Sequence, residues 1–546
     1  MKRIVCALSL LIFAPLLVAQ HEHASAPGTA RLFEGLGKHH HPIATSSPEA
    51  QLYFDQGMAF IYAFNHDEAI RSFRRAAELD PKSPMPYWGI AFGLGPNINL
   101  DVDPQREMAA REETDRAKAL LEGAPAIERA YVEALDKRYT TDPKANLKQL
   151  GRDFAGAMRE VSRRFPEDLD AATLYAESLM DLHPWAFWTL DGRPNEDTEE
   201  IVRVLEGVLR RDPSHMGANH YYIHAVEASR NPERALPSAA RLETLAPAAG
   251  HLVHMPAHIY MRTGDYNAAA YRNVVAAEAD RAYIQATGAQ GVYPLMYYSH
   301  NLHFLAAAAM EAGRYADAGK ASEQLMGNIS PALKQMPMLE FFGLMPLFVQ
   351  LRFERWQEIL AAPQPDESMH LMNSFWHYSR GLAYLGTGDL PKAQAERGAF
   401  AASAGQVSPE TRVGGAVPES ASKILKVAAD VLDARIAEAR GDRKAALASW
   451  RRAVATEDTI AYDEPPIWYY SVRESLGGTL LRDGQAAEAE KVFREDLERH
   501  PRSGRSLFGL WQCLKAQNRN AEAAWVEREF QESWKSADVP LKPDDL

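Results

Sequence analysis

Small and bulky apolar residues alternate with polar ones along this chain at the spacing of amphipathic helices. In the run AQLYFDQGMAFIYAFNHDEAIRSFRRAAELDP, residues 50–81, small residues stand at Gly57 and Ala69, a bulky one at Phe73 and a proline at Pro81. Small residues let two helices approach each other, and a bulky residue fills the gap between them. The pattern predicts a helix–turn–helix unit, and β-strand patterns are almost absent from the rest of the chain.

The same pattern recurs downstream, for example in PERALPSAARLETLAP at 232–247 and in LLRDGQAAEAEKVFREDLERHP at 480–501. It resembles the tetratricopeptide repeat, a helix–turn–helix unit of about 34 residues that stacks into a solenoid. The resemblance covers roughly 50–105 and 165–537 and implies an all-α, right-handed superhelix of about eleven repeats with insertions. The predicted repeat starts lie near 50, 84, 135, 169, 216, 250, 299, 340, 374, 427, 470 and 504.

Between the repeats lie insertions, of which the Trp-rich segment 183–197 is expected to form a lid over a binding face or to fill a gap between repeats. The predicted organisation is a signal peptide at 1–19, a histidine-containing leader at 20–49, N-terminal repeats at 50–150, central repeats at 151–400, a loop-rich insertion at 401–425, C-terminal repeats at 426–537 and a tail at 538–546.

The N-terminus carries Lys2 and Arg3 before an apolar run that ends near Val18. This run has the length of a secretory signal and is short for a membrane span, so we expect cleavage after Ala19 and export to the periplasm or the outside. An uncleaved anchor is the alternative. No membrane span is predicted after signal removal, and Cys513 would be left as a single cysteine that cannot form an intramolecular disulfide.

The formal net charge of −13 excludes a phosphate-neutralising surface, so nucleic-acid binding is not expected. The distribution of the 18 histidines changes the picture more than the charge does. In the repeat frame, seven of them fall on the face of three successive first helices that lines the concave groove of such a superhelix. His220 and His254 are one 34-residue period apart, as are His224 and His258.

Imidazoles gathered in this way suit zinc, copper, nickel or iron, provided that three or more nitrogens converge at about 2.0–2.2 Å from the ion. The predicted metal-site residues, as ligands or as partners of ligands, are His220, His224, Glu227, His251, His254, His258, His300 and His303. The sequence fixes no cofactor, and zinc, copper or another divalent transition metal is the candidate if this cluster binds one. Tyr221 stands where a zinc protease would carry its catalytic glutamate, so a protease of that class is not predicted.

Three alternatives stay open at this point. The groove histidines could hydrogen-bond a bound peptide or one another instead of a metal. Pro256 could delay the start of its helix, which would leave His251 and His254 on a loop. The histidines at 21–23 and 39–41 could fold into the groove and complete a site, or could belong to a disordered leader.

The first functional hypothesis is a non-catalytic scaffold that binds a peptide or protein partner in its groove. The alternative is a metal-binding or metal-dependent protein, and no complete catalytic motif is recognised outside the histidine cluster. Aromatic residues predicted beside or on the groove, either as a floor for the partner or as interhelix packing, are Tyr221, Tyr222, Tyr297, Tyr298, Trp376 and Tyr378.

Overall fold

The computed structural model describes residues 30–414 and 419–546, and nearly all regular structure in this part of the chain is α-helical. One short antiparallel ladder joins β1 (Arg412–Val413) to β2 (Glu419–Ser420). The expected all-α class is therefore confirmed. The predicted signal peptide and the histidines at 21–23 lie outside the described residues.

The helices follow one another along the chain, joined by short connections. The first thirteen are α1 Pro48–Tyr62, α2 His66–Leu79, α3 Pro84–Leu94, α4 Pro104–Ala119, α5 Ala126–Leu135, α6 Leu147–Arg164, α7 Leu169–Met180, α8 Thr198–Arg211, α9 Met216–Val226, α10 Leu236–Leu245, α11 Gly250–His254, α12 Pro256–Thr263 and α13 Tyr266–Thr287. The others are α14 Ser299–Glu311, α15 Tyr315–Ile329, α16 Glu340–Gly343, α17 Met345–Arg352, α18 Trp356–Ala361, α19 His370–Gly386, α20 Leu390–Ala404, α21 Ala421–Ala439, α22 Arg443–Glu457, α23 Val472–Arg482, α24 Ala486–Arg499, α25 Gly504–Ala516 and α26 Asn520–Ser533. Short 3₁₀ turns lie at Pro232–Ala235, Pro337–Leu339 and Pro543–Asp545, and a π-helical turn lies at Tyr293–Tyr298.

Consecutive helices pack in pairs, from α1 on α2 to α25 on α26. In two of these pairs the first helix is split into two segments, which are α11 and α12 in one pair and α16 and α17 in the other. A first helix begins at the predicted repeat starts 84, 169, 216, 250, 299, 340 and 504, and within nine residues of every other predicted start. Within the described residues this gives twelve pairs, one for each predicted start, where about eleven repeats were expected.

The first repeat shows why the residue pattern produces this pairing. Phe73 on α2 is fully buried, and a Cβ atom added at Gly57 on α1 or at Gly89 on α3 would lie 2.3 or 2.7 Å from its ring. Only glycine lets both helices approach Phe73 so closely. The side chain of Asn65 accepts a hydrogen bond from the backbone N–H of Glu68 and so caps the start of α2.

Two hydrophobic clusters form the core of the described residues. The first runs from the leader to Tyr297, and the second runs from Ala257 in α12 to the end of the chain. Tyr260 of α12 packs against both clusters, so α12 lies where they meet. The predicted histidine face is carried by the helices at this junction.

The described part of the leader, residues 30–47, is packed against the repeats. Phe33 lies against Phe60 and Tyr283 with ring centroids 5.6 and 5.9 Å apart, and Tyr53 donates a hydrogen bond to the Ala30 carbonyl. The alternative of a disordered leader is therefore wrong for these residues, because their apolar side chains enter the first core cluster.

The last helical pairs fold back against the middle of the chain. Tyr266 donates a hydrogen bond to the Pro501 carbonyl, and Arg502 pairs with Asp265 at 2.5 Å. Gly264, with φ +78°, is needed here because a Cβ atom would lie 2.0 Å from the Pro501 oxygen. Among the described residues, every helix is too short or too polar to cross a membrane.

Candidate metal centre

Pro256 interrupts the hydrogen bonding of its helix without changing the course of the chain. Helix α11 begins at Gly250, and Met255, between α11 and α12, keeps helical angles of φ −51° and ψ −36°. Proline lacks the N–H that would complete this turn, but its fixed φ is compatible with a helix. His251 and His254 therefore lie on a helix, and the alternative that places them on a loop is wrong.

The first histidine group consists of His220 and His224 on α9 and His251 on α11. Spacing of four residues puts the two α9 rings on one helix face, with centroids 4.9 Å apart. The Nε2 atoms of His220 and His251 lie 3.2 Å apart, and the candidate ligand atoms of all three lie within 4.8 Å of one another. All three side chains are buried.

The second histidine group consists of His254 on α11, His258 on α12 and His300 on α14. The Nε2 atom of His254 lies 2.8 Å from that of His258 and 3.1 Å from that of His300. A π-helical turn directly precedes α14, and such turns are frequent at functional sites. The candidate ligand atoms again converge within 4.8 Å.

Glu227 connects the two groups by hydrogen bonds to one histidine of each. One carboxylate oxygen accepts a hydrogen bond from Nδ1 of His224 at 2.7 Å, and the other accepts one from Nδ1 of His258 at 2.6 Å. The two groups are adjacent, since the rings of His224 and His258 are only 5.3 Å apart. Glu227 therefore orients one ring of each group through a hydrogen bond to its Nδ1 atom.

Backbone and amide oxygens hold two further rings in the same way. Nδ1 of His220 donates to the Tyr62 carbonyl, and Nδ1 of His254 donates to the side-chain oxygen of Asn273, both at 2.7 Å. Asn273 is fixed in this orientation because its NH₂ group donates to the Ala269 carbonyl. Four of the six rings thus carry their proton on Nδ1 and present the lone pair of Nε2 to the interior of their group.

This arrangement leaves a specific conflict between His254 and His258. With one proton on each ring, held on Nδ1, the two Nε2 atoms face each other at 2.8 Å with a lone pair each. Two lone pairs at this distance repel unless a cation, either a second proton on one ring or a metal ion, lies between them. In the first group, Nε2 of His224 is buried and has no hydrogen-bond partner.

Burial disfavours a proton on His254 and on three neighbouring rings. Burial is the largest cause that lowers the pKa of His254, and repulsion from His258 is the next. The resulting pKa lies well below 6.5. Burial likewise lowers the pKa of His220, His251 and His300 well below 6.5. Burial would raise the pKa of Glu227, but the neighbouring imidazoles outweigh it and hold that pKa well below its usual value. A neutral imidazole is the protonation state that metal binding requires of a histidine ligand.

The remaining predicted metal residue, His303, belongs to neither histidine group. Its Nε2 atom lies 2.8 Å from the Tyr469 hydroxyl, and its ring packs against Phe341 and Phe342. His303 was predicted to join the others because it shares their helix face. It lies one turn further along α14 than His300, and there its ring packs among aromatic side chains.

Aromatic side chains cover both groups. Phe64 contacts His220 and Phe304 contacts His254, with ring centroids 4.6 and 4.9 Å apart. Trp185, from the predicted insertion 183–197, packs edge-on against His224 at 4.8 Å. The histidine face is therefore covered, where a groove open to solvent was expected.

A loop near the C-terminus completes this cover. The Tyr462 hydroxyl lies 3.0 Å from a carboxylate oxygen of Glu227 and 3.2 Å from one of Glu464, so its single proton is shared between the two carboxyl groups. Arg262 lies over the Tyr462 ring and donates to the Glu227 carbonyl. Burial raises the pKa of Glu464 to about 7.

Of the six aromatic residues predicted for the groove, Tyr221, Tyr222, Tyr297 and Tyr378 are buried, whereas Tyr298 and Trp376 are half-buried. Tyr378 hydrogen-bonds the Tyr470 hydroxyl at 2.8 Å, and the ring of Tyr221 packs on that of Tyr62. In the described fold these side chains make interhelix packing, the second of the two roles expected for them. Their contact with a partner stays a prediction.

A third histidine cluster surrounds Asp170 at the start of α7. His41 from the leader lies 2.8 Å from one carboxylate oxygen, and His215 and His39 lie 3.1 and 3.3 Å from the other. Tyr62 also donates to Asp170, at 2.5 Å. This cluster lines a cavity of about 950 Å³ between the leader and the repeats. The leader histidines thus join Asp170 and do not complete either of the two histidine groups.

Several residues of the centre carry no signal that sequence reasoning could use. Asn273 and Tyr62 contribute an amide and a backbone carbonyl from other helices, and Tyr462 arrives from more than 200 residues away. The i, i+4 spacing of His254 and His258 was the detectable signal, together with its repetition one period upstream at His220 and His224.

Comparison with known proteins supports the repeat assignment. Residues 50–83 match the tetratricopeptide repeat family. No curated protein matches the chain. Similar solved structures include a human IFIT1 dimer with m7Gppp-AAAA, at 14% identity and a TM-score of 0.31 over 90% of this chain and 91% of that one.

Two other similar structures are yeast Tom70 and the APC/C hetero-tetramer Cut9-Hcn1. Yeast Tom70 is 12% identical, with a TM-score of 0.31 over 88% of this chain and 99% of that one. The Cut9-Hcn1 structure is 12% identical, with a TM-score of 0.29 over 85% and 76%. The assignment depends on the family match and on the helical pairs, not on these superpositions. Residues 50–83 thus match the tetratricopeptide repeat family, and helical pairs follow them to residue 533.

Proposed function

We propose that this protein binds two transition-metal ions, one in each histidine group. The observation that carries the proposal is the approach of the His254 and His258 Nε2 atoms to 2.8 Å while both Nδ1 atoms are committed to acceptors. A metal ion between these nitrogens turns a repulsion into two coordinate bonds. Imidazole suits zinc, copper, nickel and iron.

The surroundings of the ligands support the same function. Metal-binding histidines commonly donate their second N–H to a carboxylate or carbonyl, which fixes the ring and raises its basicity. Glu227, the Tyr62 carbonyl and Asn273 do this for four of the six rings. Packing of Phe64 and Phe304 against the rings restricts water and holds the ligands in place.

Tetratricopeptide repeats are scaffolds for protein–protein interaction. For a partner segment, the favoured position in this fold is the cavity of about 950 Å³ beside the leader, where Tyr131, Met216 and Pro247 offer apolar surface. We place this binding after export, on the strength of the N-terminal run from Lys2 to Val18.

The metal content of protein purified without a histidine tag tests the proposal. Mass spectrometry of the metals should find two ions per chain in the wild type, either as purified or after loading with zinc or copper. The variant His220→Ala/His224→Ala/His258→Ala should lose both, because it removes ligands from each group. Failure of the wild type to bind any metal would remove the proposed function.

A matched control removes three other histidines, as His39→Ala/His40→Ala/His41→Ala. These belong to neither histidine group, so the control should keep both ions. Circular dichroism should show equal helix content in both variants. Should the two triple variants lose metal equally, the ligands have been assigned to the wrong histidines.

A further inference from the structure

We propose that the two ions are copper, held as Cu(I), and that together they deliver two electrons to one molecule of dioxygen. This inference rests on the proposed function and names the metal and the small molecule that it handles. Three features of the centre carry it: the number of ligands, the charge of the surroundings and the distance between the two groups.

Each group offers three neutral nitrogen ligands and no anion. Both oxygens of Glu227 already accept hydrogen bonds from His224 and His258, so the nearest carboxylate is turned away from the ions. Zinc in proteins takes four ligands, and a catalytic zinc ion with three protein ligands adds a water molecule. Cu(I) is a closed-shell monovalent ion, for which three neutral imidazoles form a complete coordination shell.

The charge of the two ions also favours Cu(I) over zinc. Arg262 donates to the backbone carbonyl of Glu227 and supplies a positive charge beside the histidine groups. Two Cu(I) ions add two positive charges, whereas two zinc ions would add four. The cost of burying charge grows with the square of that charge, so this enclosed site favours the monovalent pair.

The distance between the groups allows the two ions to act together. Rings of different groups, His224 with His258 and His251 with His254, are 5.3 and 5.7 Å apart, which is as close as rings within a group. Each Cu(I) ion can lose one electron, and dioxygen gains both and becomes peroxide bound between the two Cu(II) ions. No proton is needed for this step. The charge of two Cu(II) ions and one peroxide equals that of two Cu(I) ions, so the buried centre does not gain net charge.

The test loads metal-free protein with Cu(I) under nitrogen and follows copper, oxidation state and gas uptake. We expect two Cu(I) ions per chain, held against an equal concentration of Zn(II). On admission of air, an oxygen electrode should record one dioxygen consumed per chain, and X-ray absorption should show both ions converted to Cu(II). Binding of two zinc ions in preference to Cu(I), or oxidation without stoichiometric uptake of dioxygen, would overturn the inference while leaving the proposed function intact.

Two variants on one helix sharpen the test. His300→Ala removes a ligand from the second group, so this variant should hold one copper ion firmly and lose the uptake of one dioxygen per chain. His303 lies one turn further along α14 and contacts Tyr469. The variant His303→Ala should therefore retain both copper ions and full uptake of dioxygen. Equal uptake by the two variants would show that dioxygen does not react at the pair.

Discussion

The protein contains two histidine-rich regions that look alike in sequence and differ in chemistry. In the two histidine groups, the Nδ1 atoms of four rings donate to acceptors outside, and the Nε2 atoms meet. Around Asp170, the rings instead direct their nitrogens at a single carboxylate, which also receives the hydroxyl of Tyr62. Our proposal places a metal ion in each group of the first region, whereas in the second region the histidines pair with a carboxylate. The proposal thus separates the two regions by the direction of the second ring nitrogen.

Tyr62 connects the two regions. Its backbone carbonyl accepts from His220, and its hydroxyl donates to Asp170. The residue itself is fully buried at the end of α1. Tyr62 contacts His220 through its backbone and Asp170 through its side chain. Substitutions in one region can therefore test the role of that region separately from the other.

The largest expected effect is on stability, from Asp170→Ala. The pKa of Asp170 lies well below its usual value because the neighbouring histidines outweigh the effect of burial. Removing this carboxylate leaves His39 and His41 buried without their counter-ion, which should cost about 3–5 kcal/mol of the free energy of unfolding. Urea denaturation measures this loss.

Metal content provides the control for that variant. Asp170→Ala should keep both ions, because neither histidine group includes a ligand from this cluster. Loss of an ion together with stability would mean that Asp170 and its histidines are a metal site as well, and the distinction between the two regions would not hold.

Much of this comparison could be anticipated from the sequence, but not all of it. The period of the repeat placed His220, His224, His254 and His258 on one face, because helix geometry and repeat stacking depend on local residue patterns. The paths of the leader and of the loop carrying Tyr462 depend on contacts between distant segments, which no local pattern records. The grouping of six histidines was therefore foreseeable, and their burial and their separation from His303 were not.

The next effect concerns metal affinity, in Glu227→Gln. The neutral amide cannot accept from His224 and His258 as the carboxylate does, so one ligand of each group loses its orientation. Loss of such a partner typically reduces metal affinity about 10–100-fold. Competition with a chelator should show that both ions are weakened together. A change confined to one ion would contradict the role of Glu227 as the shared partner.

A smaller effect should appear in the dependence of stability on pH. Burial lowers the pKa of His39 and His41, but Asp170 outweighs it and raises both above 6.5. Groups with a raised pKa stabilise the fold fully below pH 6.5, and this contribution is lost as pH rises through the folded pKa. The free energy of unfolding of metal-free protein should therefore contain a component that declines above pH 6.5.

His39→Gln/His41→Gln isolates that component. This variant should lose the decline, whereas His40→Gln should keep it, since His40 is largely exposed and pairs with Asp55. His220 and His254 contribute on the acid side of pH 6.5 instead, because burial lowers the pKa of each and makes the metal-free fold less stable as pH falls. An unchanged profile in the double variant would show that the ion pair with Asp170 is not formed in solution.

The smallest effect is expected from Tyr462→Phe, which removes one hydroxyl from the cover of the metal centre. That hydroxyl donates to the same Glu227 oxygen that accepts from His258, so its loss changes how strongly the carboxylate holds the ring. A hydrogen bond of this kind is worth about 0.5–1.5 kcal/mol. We therefore expect a loss of metal affinity of that size in chelator competition.

Tyr469→Phe is the matched control on the same loop, because the hydroxyl of Tyr469 contacts His303, outside both groups. This variant should leave metal affinity unchanged. Equal losses in the two variants would mean that the loop acts by covering the centre and not through its contact with Glu227.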